Sequence, residues 1–288
     1  MDYNYLPLDS ALLTFDQVKN FIRFHQQISI TFKAHHAITA CRNYLDEKLN
    51  NSDALFYGIN TGFGFLQNVS IDKHQLHKLQ DNLLQSHSCG TGEEVPIEIV
   101  RLMLMLKVKS LSYGHSGVSI DIVKRLIDMH NAEIYPIVYT KGSLGASGDL
   151  APLSHLALPL IGMGEVNYRN ARINTVEVLR EKGWKTLELQ SKEGLALING
   201  TQFMSAYGMY CLANAERLLK WADIIAAISM EAYQCNINFL NKRIHEVRPH
   251  KGQLNTAQRI TRFIDGSKIA ARHKENLQDP YSFRCLPQ

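Results

Sequence analysis

The sequence predicts a mainly α fold, an elongated helical bundle with a small mixed N-terminal part. Three observations carry that reading. Apolar residues recur at helical spacing behind recognisable caps over much of the chain. The stretch from about Thr201 to about Leu240 contains no proline and a single glycine, Gly208. Strand signals are confined to a few short segments.

Taken in order, Thr14-Phe15-Asp16-Gln17 fits a capping box, with Thr14 as N-cap and Gln17 closing it. Val18, Phe21, Ile22 and Phe24 follow at helical period. Ile28 to Phe32 alternates apolar and polar residues and reads as a strand. Ser70 is placed to cap a second helix with the apolar stripe Leu76, Leu79, Leu83 and Leu84, on which His74 and His77 read as a solvated face. Pro96 fits the first turn of a third helix. Its apolar positions, from Ile97 through Leu106 to Leu111, wrap most of the way round and predict burial. Val166 to Ile173 reads as a short hairpin piece. The 201–240 stretch carries Phe203, Leu212, Leu218, Leu219, Ile224, Ile225 and Ile228, and as one helix it would extend roughly 60 Å. A small globule cannot cover such a helix, which belongs to elongated bundles or oligomer cores. Pro249 marks its stop.

Composition narrows the function classes. The 288 residues are 45% hydrophobic and 20% charged, which is ordinary globular composition. Lys and Arg number 31 against 27 Asp and Glu, a net charge of +4. No basic run concentrates that excess, so charge does not support a nucleic-acid partner. Cys41, Cys89, Cys211, Cys235 and Cys285 are scattered without a CxxC, which speaks against a disulfide scaffold or a structural zinc. The N-terminus lacks the basic start and apolar run of a signal peptide. The most apolar stretch, Leu150 to Gly164, is broken by Pro152, His155 and Pro159 and is too short to span a bilayer. The expectation is a soluble, cytoplasmic chain.

Four stretches differ from packing filler. Tyr57-Gly58-Ile59-Asn60-Thr61-Gly62-Phe63-Gly64 is glycine-rich enough for a loop, on which Tyr57 is either an aromatic anchor or a mobile acid or base. Ser86-His87-Ser88-Cys89-Gly90-Thr91-Gly92 closes the second helix, where His87 either stabilises the helix dipole or serves chemistry. Gly142 to Leu150 resembles a phosphate loop in glycine content, but no Lys-Ser or Lys-Thr follows its last glycine. It also fails the nucleophile-elbow pattern, because Asp149 stands where the last glycine belongs. Ala146-Ser147-Gly148 offers backbone chemistry instead. Gly148 lacks a Cβ, so its nitrogen can approach the Ala146 carbonyl, and the Ser147 hydroxyl can leave as water. Composition alone does not separate that from a plain glycine turn.

In the fourth stretch, Asp279-Pro280 disfavours helix and Tyr281 and Arg284 follow three residues apart. An arginine there either clamps a carboxylate or caps a helix. His245-Glu246-Val247-Arg248-Pro249-His250 is not a zinc-protease helix, since its second histidine is five residues on and Pro249 intervenes.

In order, YGINTGFG, SHSCGTG, GSLGASGDLAPLSHLALPLIGMGE, EGLALINGTQ, HEVRPHKGQ and LQDPYSFRCLPQ resemble the aromatic amino acid ammonia-lyases, most closely their histidine-using branch. They are spread over the chain from Tyr57 to Gln288, so the resemblance extends over nearly all of it. The resemblance implies a fumarase/aspartase-like helical core, incomplete here. It implies that Ala146, Ser147 and Gly148 cyclise autocatalytically to 4-methylidene-imidazol-5-one (MIO), with no external cofactor and no metal. Tyr57 would remove a β-proton and Tyr281 would tune the MIO. Asn199 would contact the group and the substrate, Arg284 would hold the α-carboxylate, His87 would meet the substrate side chain, and Gln278 ranks second to these. L-histidine would give trans-urocanate and ammonia, with tyrosine or phenylalanine as the alternative substrate.

On this reading residues 1–200 form the MIO-bearing domain and residues 201–288 the start of a truncated long-helix bundle domain. Family chains continue well beyond Pro287-Gln288, and their later helices complete a homotetramer whose sites draw on three subunits. The competing expectation is therefore a fragment without catalysis that acts as an oligomerising module.

Overall fold

The computed structural model of the chain describes residues 5–52, 54–64, 68–69, 71–72, 75–144, 146–272, 274–275 and 277–288. These form two compact units, residues 1–210 and 211–288. The fold is mainly helical, with short strands, as the patterning predicts.

The first unit opens with β1 (Tyr5–Leu8), α1 (Phe15–Phe24) and β2 (Gln27–Ile30). The strands pair in parallel, Tyr5 opposite Gln27 and Leu8 opposite Ile30, and α1 supplies the crossover that a parallel pair requires. The capping box forms as read from the sequence. The Gln17 amide donates to Thr14 Oγ1 at 3.3 Å and the Thr14 amide donates to Gln17 Oε1 at 2.9 Å. Helix α2 (Phe32–Asn50) is capped by Thr31, and α3 (Leu76–His87) buries Leu83 and Leu84. The Ser70 cap and His74 lie outside the described residues; His77 is exposed.

After β3 (Thr91–Glu94), α4 (Ile97–Leu111) runs through the centre of the unit. It is buried on nearly every side, as its apolar wrap predicts, and takes Arg101, Lys107 and Lys109 into the interior with it. Then come α5 (Ile120–Asn131), β4 (Tyr135–Pro136), β5 (Tyr139–Lys141), α6 (Leu150–Ala157), β6 (Glu165–Tyr168), β7 (Ala171–Asn174), α7 (Thr175–Lys182) and α8 (Glu193–Ile198). Strands β6 and β7 form the expected hairpin. Arg169 and Asn170 turn it with φ of 54° and 60°, the pair of left-handed residues that a tight hairpin needs. Leu84, Met103, Met105, Leu126, Leu153 and Leu197 join one continuous core.

Helix α9 (Gln202–Tyr233) is the long helix, but it is shorter than the sequence predicts. Gln234 takes φ 59°, which breaks the helical run, and residues 237–240 close instead as a 3₁₀ turn capped by the Asn236 side chain. The helix therefore ends well before Pro249, at a left-handed glutamine whose type gives no warning of it. It is about 48 Å long and leaves Leu212, Leu218, Leu219, Trp221, Ile225 and Ile228 exposed. In the second unit, α10 (Lys242–Glu246), α11 (Lys251–Phe263) and α12 (Tyr281–Arg284) follow, and Ala227, Met230, Leu240, Ala257, Ile260 and Ile264 form a separate small core. Among the described residues no helix is long and apolar enough to cross a membrane.

Candidate active site

Strands β3 and β5 pair antiparallel, Thr91 opposite Lys141. The loop after α3 and the loop before α6 thus leave the same two-stranded ribbon side by side. A Cβ on Gly142 would come within 3.0 Å of the Gly90 Cα, so the two loops touch through glycine. Helix α6 fastens the arrangement from beneath. Ser154 Oγ donates to the Leu84 carbonyl, and His155 Nε2 accepts the Gly90 amide at 3.0 Å. That bond needs a neutral ring, and burial pushes the His155 pKa down in the same sense.

Helix α8 closes the third side. Gly194 lies so near α3 that a Cβ would meet the Gln80 carbonyl at 2.8 Å, and Gln80 Oε1 accepts the Leu195 amide at 3.2 Å. Glu193 is buried with both carboxylate oxygens used, one by the Ser119 amide and one by the Gln190 amide, each at 2.7 Å.

Between these elements lies a cavity of about 550 Å³. Tyr57, His87, Ser147 and Asn199 all line it, together with His115, Ser116 and Lys192. Tyr57 sits on a turn held by the Gly58 amide, which donates to Thr61 Oγ1 at 3.1 Å. Gly58 has φ 67° and a Cβ there would strike Leu195 at 2.6 Å, so this position needs glycine. Tyr57 is 56% exposed, and its phenol oxygen accepts the Gly64 amide at 3.3 Å. His87 ends α3, and its Nδ1 lies 2.9 Å from the Leu83 carbonyl. A carbonyl only accepts, so in that bond Nδ1 is the donor.

Ala146 and Ser147 are exposed, whereas Asp149 is buried. Gly148, at φ 95°, forms a parallel bridge with Gly200, and the Asp149 amide donates to the Gly200 carbonyl at 2.8 Å. The Asp149 carboxylate accepts from Ser143 Oγ and from the Met204 amide, both at 3.0 Å. It therefore ties the glycine loop to the start of α9 within the first unit. Asn199 donates its side-chain amide to the Leu195 carbonyl at 3.1 Å.

The other sequence-predicted residues belong to the second unit. Gln278 and Tyr281 are exposed, and Tyr281 opens α12 directly behind Pro280. The Arg284 guanidinium stacks over the Tyr281 ring at 4.0 Å, and its Nε is buried without a hydrogen-bond partner. His245 has both ring nitrogens occupied, Nε2 by the Phe239 carbonyl and Nδ1 by Gln253, each at 2.9 Å.

Sequence reasoning did not single out Asp149 as an anchor, nor His115, Ser116 and Lys192 as cavity residues. It also missed Lys107. A lysine inside an otherwise apolar, fully wrapped helix is the signal that would have found it. Burial presses its pKa down to about 7, with the Asp149 carboxylate pulling the other way.

The family model for aromatic amino acid lyase matches residues 13–288. The chain is 43% identical over 284 residues to histidine ammonia-lyase 2 of Fusobacterium nucleatum, covering 98% of this chain and 55% of that protein. It is 41% identical to histidine ammonia-lyase of Caldanaerobacter subterraneus, covering 98% of this chain and 55% of the relative. Among solved structures, histidine ammonia-lyase from Trypanosoma cruzi matches with TM-score 0.85 and 40% identity, covering 98% of this chain and 52% of that one. Tyrosine aminomutase from Streptomyces globisporus matches with TM-score 0.89 and 30% identity, covering 98% and 57%. The chain thus spans about half the length of the curated relatives it matches.

Proposed function

Because the chain belongs to the aromatic amino acid lyase family, we propose that it serves the non-oxidative elimination of ammonia from L-histidine to give trans-urocanate. The observation that carries this reading is the cavity itself, which gathers Tyr57, His87, Ser147 and Asn199, residues far apart in sequence.

The residues fit an MIO formed from Ala146-Ser147-Gly148. The loop carries no Cβ at Gly148, where the Gly200 carbonyl leaves no room for one, and its serine is exposed. When formed, the group supplies an electrophilic methylidene carbon that makes the substrate amine a better leaving group. The side chains do the rest. Tyr57 takes the β-proton as its phenolate, becoming the neutral phenol, and the Gly64 amide already directs an N–H at that oxygen. His87 presents Nε2 to the imidazole N–H of the substrate, a pairing that phenylalanine cannot make. Asn199 lies on the same wall and orients the substrate amine.

Gln278, Tyr281 and Arg284 complete the reading, with Arg284 binding the α-carboxylate and Tyr281 tuning the MIO. They act in a cytoplasmic homo-oligomer, in which residues 1–200 carry the MIO and residues 201–288 open the long-helix bundle. A second reading, an interaction module without catalysis, draws on α9, which exposes Leu212, Leu218, Leu219, Trp221, Ile225 and Ile228.

The test is to supply L-histidine, L-tyrosine and L-phenylalanine separately to purified chain and follow the ultraviolet absorbance of each unsaturated acid. Urocanate from histidine alone supports the reading. Coumarate or cinnamate instead would move the substrate, and no product from any of the three favours the interaction module.

A further inference from the structure

Lys107 is the one cation of α4 whose ammonium reaches the cavity wall. The residue is 1% exposed, and Nζ donates to the Asn199 carbonyl at 3.1 Å and the Ala196 carbonyl at 3.3 Å. The Ala196 carbonyl belongs to the last turn of α8 and the Asn199 carbonyl to its C-cap, where carbonyls have no partner within the helix. A buried cation there satisfies them and opposes the negative end of the helix dipole. Burying a lysine is costly, and a methionine would fill the same volume in an apolar helix without that cost. The lysine therefore needs a reason that packing does not give.

The bonds beyond it supply one. Fixing the Asn199 carbonyl fixes the Asn199–Gly200 peptide. Gly200 in turn accepts the Asp149 amide at 2.8 Å and bridges Gly148. One bonded row thus runs from Lys107 through Gly200 to the Ala146-Ser147-Gly148 loop, with Asn199 and Ala196 exposed along it to the cavity. We propose that Lys107 is a positioning residue, whose ammonium sets the Asn199–Gly200 peptide against which the Ala146-Ser147-Gly148 loop is seated for ring closure. The inference rests on the reading of that loop given above, but its geometric part stands without it.

The test compares the chain with its K107M and K107R variants by hydrogen exchange and by intact mass. In K107M, exchange at residues 146–149 rises by about 10-fold or more while that of α5 is unchanged, since only the local opening is altered. The dehydrated fraction falls in step, and K107R, which keeps the donors, restores both toward the parent. Unchanged exchange at 146–149 in K107M overturns the proposal, whatever the mass shows. A parent chain that keeps its full mass counts against the prosthetic group, and the exchange comparison then decides the role of Lys107 alone. If K107M fails to fold, lysine-selective nitrogen NMR of the parent decides. A slowly exchanging ammonium that is absent from K107R supports the seat, and a parent whose lysine ammonium groups all exchange as fast as solvent-exposed ones overturns it.

Discussion

Gly148 and Gly200 meet so closely that a Cβ on Gly148 would lie 2.2 Å from the Gly200 carbonyl oxygen. Gly148 also holds φ 95°, a region that side chains rarely enter. Replacement by alanine therefore adds both strain and a clash with backbone that cannot swing away. G148A is expected to cost about 2–4 kcal/mol in urea unfolding and to retain its full mass. A G148A chain as stable and as dehydrated as the parent would contradict the seating described here.

Tyr57 sits at the cavity through its phenol, whose oxygen accepts a hydrogen bond from the Gly64 amide. Y57F removes the proton-accepting oxygen without touching the Ala146-Ser147-Gly148 loop. Turnover of histidine is expected to fall about 10²–10³-fold, with dehydrated mass and melting temperature unchanged. Equal turnover in steady-state assays would exclude Tyr57 as the base.

His130 tests the acid limit of the first unit. It is 3% exposed against Phe21, and burial presses its pKa from 6.5 down to about 4, helped by the Arg101 charge and opposed by the Asn131 side chain. The folded state prefers the neutral ring, so the unfolded chain binds more protons between these two values. Stability is therefore lost as pH falls from 6.5 toward 4, by about 3 kcal/mol in all, and this contribution levels off below 4. H130Q is expected to flatten that part of a denaturation series, and an unchanged slope would count against the assignment.

In the second unit, Asp223 is buried and accepts from Arg259 Nε, which also holds Thr256 through Nη2 at 3.2 Å. Because Arg259 is partly exposed, the pair is screened on one side. D223A is expected to destabilise the unit by about 2 kcal/mol in urea unfolding. A change below about 0.5 kcal/mol would place the pair among ordinary surface contacts.

Much of this was legible from residues alone. The Thr14–Gln17 box, the all-round apolar α4 and the β6–β7 hairpin follow from local rules that tertiary packing does not override. The grouping of Tyr57, His87, Ser147 and Asn199 was visible only through the resemblance of their loops, because nothing in local spacing brings position 57 to position 199. Lys107 and Asp149 escaped notice for a related reason. Apart from the Ser143 hydroxyl, their partners are backbone groups of Ala196, Asn199, Gly200 and Met204, and a carbonyl or amide has no letter in the sequence. The early end of α9 rests on the backbone of Gln234, a residue type that rarely turns left-handed.

The most direct measurement is the intact mass of the purified chain beside its S147A variant. If Ala146-Ser147-Gly148 closes as proposed, the parent weighs two waters, about 36 Da, less than its sequence, and S147A, which has no β-hydroxyl to lose, does not show that loss. A parent at full sequence mass in folded protein would contradict the central claim and leave the chain as a lyase-family scaffold without the electrophile.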